Sequence, residues 1–202
     1  SYAAAFFSAV KQLGVSLIAG LAGVYGPVPY DLDRQVSCIY SLPAMRDELD
    51  DYAVSFSDYS GGASIGSLLV SKAEAEDVAY FIFYAFAPAY DFSESEMMTQ
   101  GIRLENDYKA WYDIMRRLNH MLNLNIDLRD LEERSQELID VIDKRIVELE
   151  EEMPQLAIRE YLATIAEKFT ETPFVLLDDV WEDEFRNLFG DDEEPGFPPT
   201  RE

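Results

Sequence analysis

The sequence predicts an α/β fold, a mostly parallel sheet flanked by helices with a C-terminal helical extension. Three observations point there. Short, strongly apolar runs alternate with turn clusters across residues 15–92, at Gly26-Pro27-Val28-Pro29-Tyr30, at Tyr59-Ser60-Gly61-Gly62-Ala63-Ser64-Ile65-Gly66 and at Ala87-Pro88-Ala89-Tyr90. Helix-like segments lie between those runs, and such alternation is the signature of βαβ units. After Asp91 the period changes to three or four residues and acids multiply.

Residues 2–13 read as a helix with Phe6, Phe7, Val10 and Leu13 on one face, closed by Gly14. Residues 15–21 form a strand too apolar to own a wet face, as expected of a buried parallel strand. A Pro/Gly loop over 22–34 leads to a second strand, Gln35–Tyr40. Ser41 starts a short helix with Pro43 in its first turn and Met45 and Leu49 inward. Ala53–Phe56 is a short strand, Ile65 to Asp77 a helix, and Val78–Phe86 an aromatic-rich strand. Ser93-Glu94-Ser95-Glu96 has capping-box spacing and starts a helix that runs to about residue 124. Asp127 caps the next, where Leu128, Leu131, Ser135, Leu138, Ile142, Ile146, Leu149 and Met153 step along one face. Pro154 interrupts it. Helices over 155–170 and 175–189 follow, and the acidic, proline-containing residues 190–202 are expected to be disordered. The domain reading is therefore an α/β portion over 1–92, a helical extension over 93–189 packed on it, and a tail.

Forty acids against sixteen bases give a net charge of −24. Such a field repels phosphate backbones and anionic headgroups, which argues against nucleic-acid and membrane-surface binding. The acids are uneven, with 11 in residues 1–92 and 29 beyond. One cysteine, Cys38, excludes an intrachain disulfide and a multi-cysteine metal site, so a reducing, cytoplasmic setting is expected. The apolar stretch from Leu13 to Tyr30 is broken by glycines and prolines and is too irregular to span a bilayer. The chain opens on Ser1 and passes at once into a helix, from which an incomplete N-terminus is expected.

No catalytic signature accompanies the turn clusters. The spacing Gly61-Gly62-x-x-x-Gly66 ahead of a helix could cradle an anion, yet it matches neither the dinucleotide fingerprint nor the P-loop. The plain alternative is a tight strand-to-helix turn. His120 is the only histidine and lies on an amphipathic helix, so no histidine pair can bind metal. Ser57, Ser60 and Ser64 lack a histidine partner nearby. Asp31 and Asp33 stand beside Arg34, the one base in that region, either as a surface pair or as a buried pair orienting the loop or a polar ligand. The acidic run Asp178 to Glu184 lacks the ligand spacing of a calcium loop. Neither a cofactor nor a metal is called for. The stripe from 128 to 153 either folds back on its own domain or meets another subunit, with Leu131, Leu138, Ile142 and Leu149 as the contact.

The order and spacing of these segments resemble the proteasome assembly chaperone family, in particular bacterial and archaeal relatives of its second eukaryotic member, often labelled ATP-grasp superfamily proteins. The resemblance spans about residues 1–150. Its carriers are Leu13-Gly14-Val15, Pro27-Val28-Pro29-Tyr30 to Arg34, Tyr59-x-Gly61-Gly62-x-x-x-Gly66-x-Leu68-Leu69, Pro88-Ala89-Tyr90, and Leu124-x-Ile126-Asp127 with Leu131. It implies a phosphorylase-like sandwich with appended helices, a homo-oligomeric state, and first strands preceding Ser1. Tyr30 stands where relatives often have His, and the chain ends Pro198-Pro199-Thr200-Arg201-Glu202 instead of the hydrophobic-Tyr tail that grips proteasome rings.

Two functions are expected from these readings. One is a non-catalytic, self-associating protein that works through protein partners. The other is a small-molecule binder or enzyme using a crevice between loops 22–34, 57–66 and 87–92. In that crevice Tyr30, Arg34, Tyr59, Gly61, Gly62, Ser64 and Tyr90 would meet an anionic ligand.

Overall fold

The computed structural model describes residues 2–56, 64–90 and 102–174. The elements below all belong to the compact unit that ends at Thr172. The loop 57–63 with Tyr59, Gly61 and Gly62, the Ser93–Glu96 box, the helix expected at 175–189 and the tail 190–202 lie outside the described residues.

The fold class is α/β. Strands β1 (Leu17–Gly26), β2 (Val36–Tyr40), β3 (Ser55–Phe56) and β4 (Ala79–Tyr90) form a sheet in the order β1-β4-β2-β3, and β5 (Ile102–Arg103) pairs with β4. β1 runs parallel to β4 from Leu17 opposite Ala79 to Gly26 opposite Pro88, and β3 is parallel to β2. β2 is antiparallel to β4 from Val36 opposite Ala85 to Tyr40 opposite Phe81, and so is β5. By length of pairing the sheet is largely parallel.

β4 is the spine, and its alternation sorts the two faces. Phe81, Phe83 and Ala85 turn to one side with Val36, Cys38 and Leu49, beneath Ala110, Ile114 and Leu118 of helix α4 (Tyr108–Met121). Tyr80 and Ile82 turn to the other, against Phe7 of α1 (Tyr2–Leu13) and Leu69, Val70 and Ala73 of α3 (Ile65–Ala75). Phe81 and Phe83 are fully buried, each worth about 1.5–3 kcal/mol. A third cluster joins Tyr90 to Ile146 and Leu149 of α5 (Arg129–Glu152) and to Ile158 and Ile165 of α6 (Ile158–Lys168).

Several expectations are corrected. The first strand is not buried on both faces. It lies at the sheet edge, slips to Leu17–Gly26, and none of its residues is fully buried. Apolar composition tells that a strand exists but not where it falls in the strand order. The loop expected from 22 therefore starts at Pro27. Ala87-Pro88-Ala89-Tyr90 is no turn but the end of β4, where Pro88 withholds its missing donor opposite the last residue of β1. Ile102–Arg103 is a strand, so the helix expected over 93–124 does not run through residues 102–107, and α4 starts at Tyr108. Leu13, expected inward, is 78% exposed. Ser41 does not open a helix. Its hydroxyl donates to the Val78 carbonyl at 2.7 Å and accepts from the Tyr80 N–H at 2.9 Å, extending the β2–β4 ladder, and the helix α2 covers Arg46–Asp50. The expected helix 155–170 is a 3-10 turn, Pro154–Leu156, followed by α6, the two separated by Ala157 at a φ of 46°.

Candidate functional site

Among the described residues, buried charges gather where the segment 27–34 meets α4. Arg34 is 1% exposed, and its guanidinium forks onto Asp107, with Nε donating to Oδ2 at 2.9 Å and Nη2 to Oδ1 at 3.3 Å. Nη1 donates to the carbonyls of Pro29 at 3.1 Å and Leu32 at 2.8 Å, which fastens the turn between β1 and β2 around its own arginine. Asp107 has a second duty as the N-cap of α4, since its Oδ1 accepts from the Ala110 N–H at 3.1 Å. One carboxylate thus ties the turn to the start of the helix.

Nearly two turns further along α4, Asp113 is fully buried and accepts the Arg34 backbone N–H at 2.7 Å. Arg116 Nη2 lies 3.1 Å from its other oxygen and Lys109 Nζ 3.6 Å. Asp33 receives Lys109 Nζ at 2.5 Å and is also paired with Arg116. Burial alone would raise the Asp33 carboxyl, but the hydrogen bond from Lys109 and the charge of Arg116 outweigh it and hold the carboxyl below its usual range. Arg117 is fully buried and donates to three carbonyls, those of Tyr52 at 2.9 Å, Asp113 at 2.7 Å and Ala53 at 3.3 Å. Burial brings its guanidinium down to about 10. Chemically this is a clamp. Four of Arg34's five N–H groups are used inside the protein, and the group has no face toward solvent.

Of the residues expected to form a ligand crevice, Tyr30, Arg34 and Tyr90 do come together. Tyr90 donates its hydroxyl to the Val28 carbonyl at 2.9 Å and stands edge-on to Tyr161, with ring centroids 6.2 Å apart. Tyr30 donates to Asp143 Oδ1 of α5 at 2.5 Å, and burial followed by that bond raises its phenol well above the ordinary value. Ser64 is elsewhere. It caps α3, with its Oγ accepting from the Ser67 N–H at 3.1 Å and the Ser67 Oγ accepting from its own N–H at 2.9 Å, a reciprocal box on the sheet face opposite α4. Along α5, Leu149 is buried within its own chain while Leu131, Leu138 and Ile142 are half-buried.

Cys38 is buried, and desolvation pushes its thiol up to about 12. His120 is exposed, its ring 6.1 Å from that of Tyr52. Among the described residues no group of three or more His, Cys, Asp or Glu is placed to hold a metal ion, and no helix is long and apolar enough to cross a membrane. A cavity of about 500 Å³ opens between β1 and α4, lined by Leu21, Val24, Tyr25, Trp111 and Met115 among others.

Sequence reasoning missed the partners of Arg34, because the nearer acids Asp31 and Asp33 drew attention from Asp107, 73 positions away. A signal existed. Asp107 directly precedes the apolar spacing Ala110, Ile114, Leu118 and has N-cap character, but it was absorbed into a helix expected to start at 93.

The family model for the PAC2 family matches residues 1–146. The chain belongs to the PAC2 family. Its solved structural neighbours carry the same fold. A PAC2 family protein from Streptomyces avermitilis superposes with a TM-score of 0.60 at 20% identity, covering 71% of this chain and 55% of that one. A proteasome-assembly chaperone homologue from Mycobacterium tuberculosis gives 0.58 at 16% identity, with 71% and 55% covered. PbaA from Pyrococcus furiosus, an archaeal homologue of proteasome-assembly chaperone, gives 0.53 at 20%, with 81% and 62% covered. This PAC2 chain thus spans little more than half the length of these solved relatives. No curated protein matches it.

Proposed function

We propose that this PAC2 chain is a non-catalytic, self-associating protein of the assembly-chaperone type, acting in the cytoplasm through contacts with protein partners. The observation that carries the reading is the internal use of the buried Arg34–Asp107 pair. Arg34, Asp107 and Asp113, the polar groups best placed to receive a ligand, are spent on holding the 27–34 turn to α4. A site built for an anion would leave donors pointing outward. The names of the solved neighbours, proteasome-assembly chaperone homologues among them, support the same reading.

Light scattering on the purified 202-residue chain tests self-association. The expected result is a mass at or above twice 23.1 kDa at high micromolar concentration, and a strict monomer would overturn that part of the reading. A thermal-shift screen with nucleotides and phosphorylated metabolites tests the absence of a ligand site. No compound is expected to raise the melting temperature, since a ligand of the native state must stabilise it. A saturable rise of several degrees with one of them would replace the reading with that of a small-molecule binder.

A further inference from the structure

We infer that the far half of α5 and the whole of α6, residues 142–168, form a strap that opens from the body as one unit, and that Tyr30 is the latch that holds it closed through its bond to Asp143. The inference stands apart from the self-association reading, because it concerns contacts inside one chain.

The anchor is the 27–34 turn. Arg34 and Asp33 fasten it to α4 through Asp107, Asp113, Lys109 and Arg116. Tyr30 stands on that fixed turn and reaches α5 in two ways. Its ring packs into the cluster of Ile146, Leu149, Ile158 and Ile165, and its hydroxyl donates to Asp143 Oδ1 at 2.5 Å, one turn before Ile146. The bond is charge-assisted, and burial and the Asp143 carboxylate both favour the protonated phenol, so the donor stays a donor. The turn also holds the chain beyond α6, where the Asp33 N–H donates to Glu171 Oε1 at 3.1 Å.

The apolar contacts of the strap form a body of their own. Among the described residues, the clusters on the two sheet faces are drawn from the strands, α1 to α4 and the turns between them. The third is built on α5 and α6, and Tyr90 and Tyr30 are the side chains that join it to the body. Contiguous units of this kind open at a lower free energy than the sheet they rest on. The near half of α5 belongs to the body instead. Tyr112 of α4 donates its hydroxyl to Glu132 Oε1 at 3.0 Å, and the Arg134 guanidinium lies 5.7 Å from the centre of the Tyr108 ring. The hinge therefore falls within α5, between Arg134 and Ile142.

Hydrogen exchange on the 202-residue chain, at one dilute concentration, tests the strap. Tyr30→Phe keeps the ring and removes only the hydroxyl, so the fold is not at stake. Amides of residues 142–152 and 158–168 are expected to lose protection about tenfold, the lower end for a hydrogen bond to a charged group, while those of 129–134, α4 and β4 keep theirs. Asp143→Ala should do the same, and the double variant should lose no more than either single one, because all three delete one bond. Asp140→Ala, which removes an exposed acid from the same helix, should leave the strap protected. Unchanged exchange in Tyr30→Phe overturns the latch. Equal loss across β4 shows one cooperative unit and overturns the strap. A double variant that sums the two single losses, or an Asp140→Ala as open as Asp143→Ala, shows that the two side chains act separately and overturns their pairing.

Discussion

Arg34 shows how one side chain can organise a loop. The turn after β1 contains two prolines and no regular hydrogen-bonding partner strand, so its carbonyls need donors once they are buried. Arg34 supplies them to Pro29 and Leu32, and its remaining charge is balanced by Asp107. Removing one member of a buried pair leaves the other uncompensated, which typically costs about 3–5 kcal/mol. Asp107→Ala is therefore expected to lose about that much, and also the α4 cap, in urea unfolding. The double variant Arg34→Met/Asp107→Leu should cost clearly less than the two single changes added together. A single change costing below about 1 kcal/mol would mean the pair is idle. Asp33 gives a pH signature. Its folded carboxyl sits below the unfolded value of about 3.9, so its ion pairs with Lys109 and Arg116 stabilise the protein above that pH and are lost as pH falls through the folded value. Asp33→Asn should flatten the acid limb of a stability-versus-pH curve measured below about pH 4.

At the scale of elements, β1 meets the side chains of β4 closely at a glycine. A Cβ on Gly20 would lie 2.8 Å from Ile82 Cγ1 and 3.2 Å from Tyr80 Cε2, both on the face covered by α1 and α3. Ile82 Cγ1 is close to its backbone and cannot swing away. Gly20→Ala is thus expected to destabilise by about 1–3 kcal/mol through overpacking, read as a lower denaturation midpoint at unchanged slope. The elements themselves were largely legible. Phe7 and Val10 mark the inner face of α1 by spacing, and the alternation Phe81, Phe83, Ala85 against Tyr80, Ile82 marks β4. The misplacements have a common cause. Pro88 punctuates a sequence whether it ends a strand or sits in one beside a finished neighbour, and Ile102 joins a helical pattern as readily as a bridge to Tyr90. Local residue types cannot distinguish those cases, because the deciding neighbour is remote in sequence.

For the whole molecule the dominant long-range term is charge. At −24 the folded chain repels itself, and salt screens exposed charges while leaving the buried Arg34–Asp107 pair nearly untouched. The melting temperature should therefore rise between low salt and about 0.5 M NaCl, and a fall would show that surface ion pairs outweigh the repulsion. The candidate site was legible only in its parts. Tyr30, Arg34 and Tyr90 were marked by punctuation and do assemble, whereas Ser64 went to the far face of the sheet and Asp107 and Asp113 arrived unannounced from α4.

By itself the sequence determined that this chain is α/β, strongly acidic and without a histidine pair or disulfide, because composition and period depend only on neighbours along the chain. It also carried the resemblance to the proteasome assembly chaperone family, and the PAC2 family model matches residues 1–146. Only the tertiary structure decided that the most apolar early strand sits at an edge and that Arg34 is buried on Asp107 instead of exposed beside Asp31. Strand order and ion-pair partners are choices among segments tens of residues apart. They are made by the packing of the whole sheet against its helices, which no local pattern encodes.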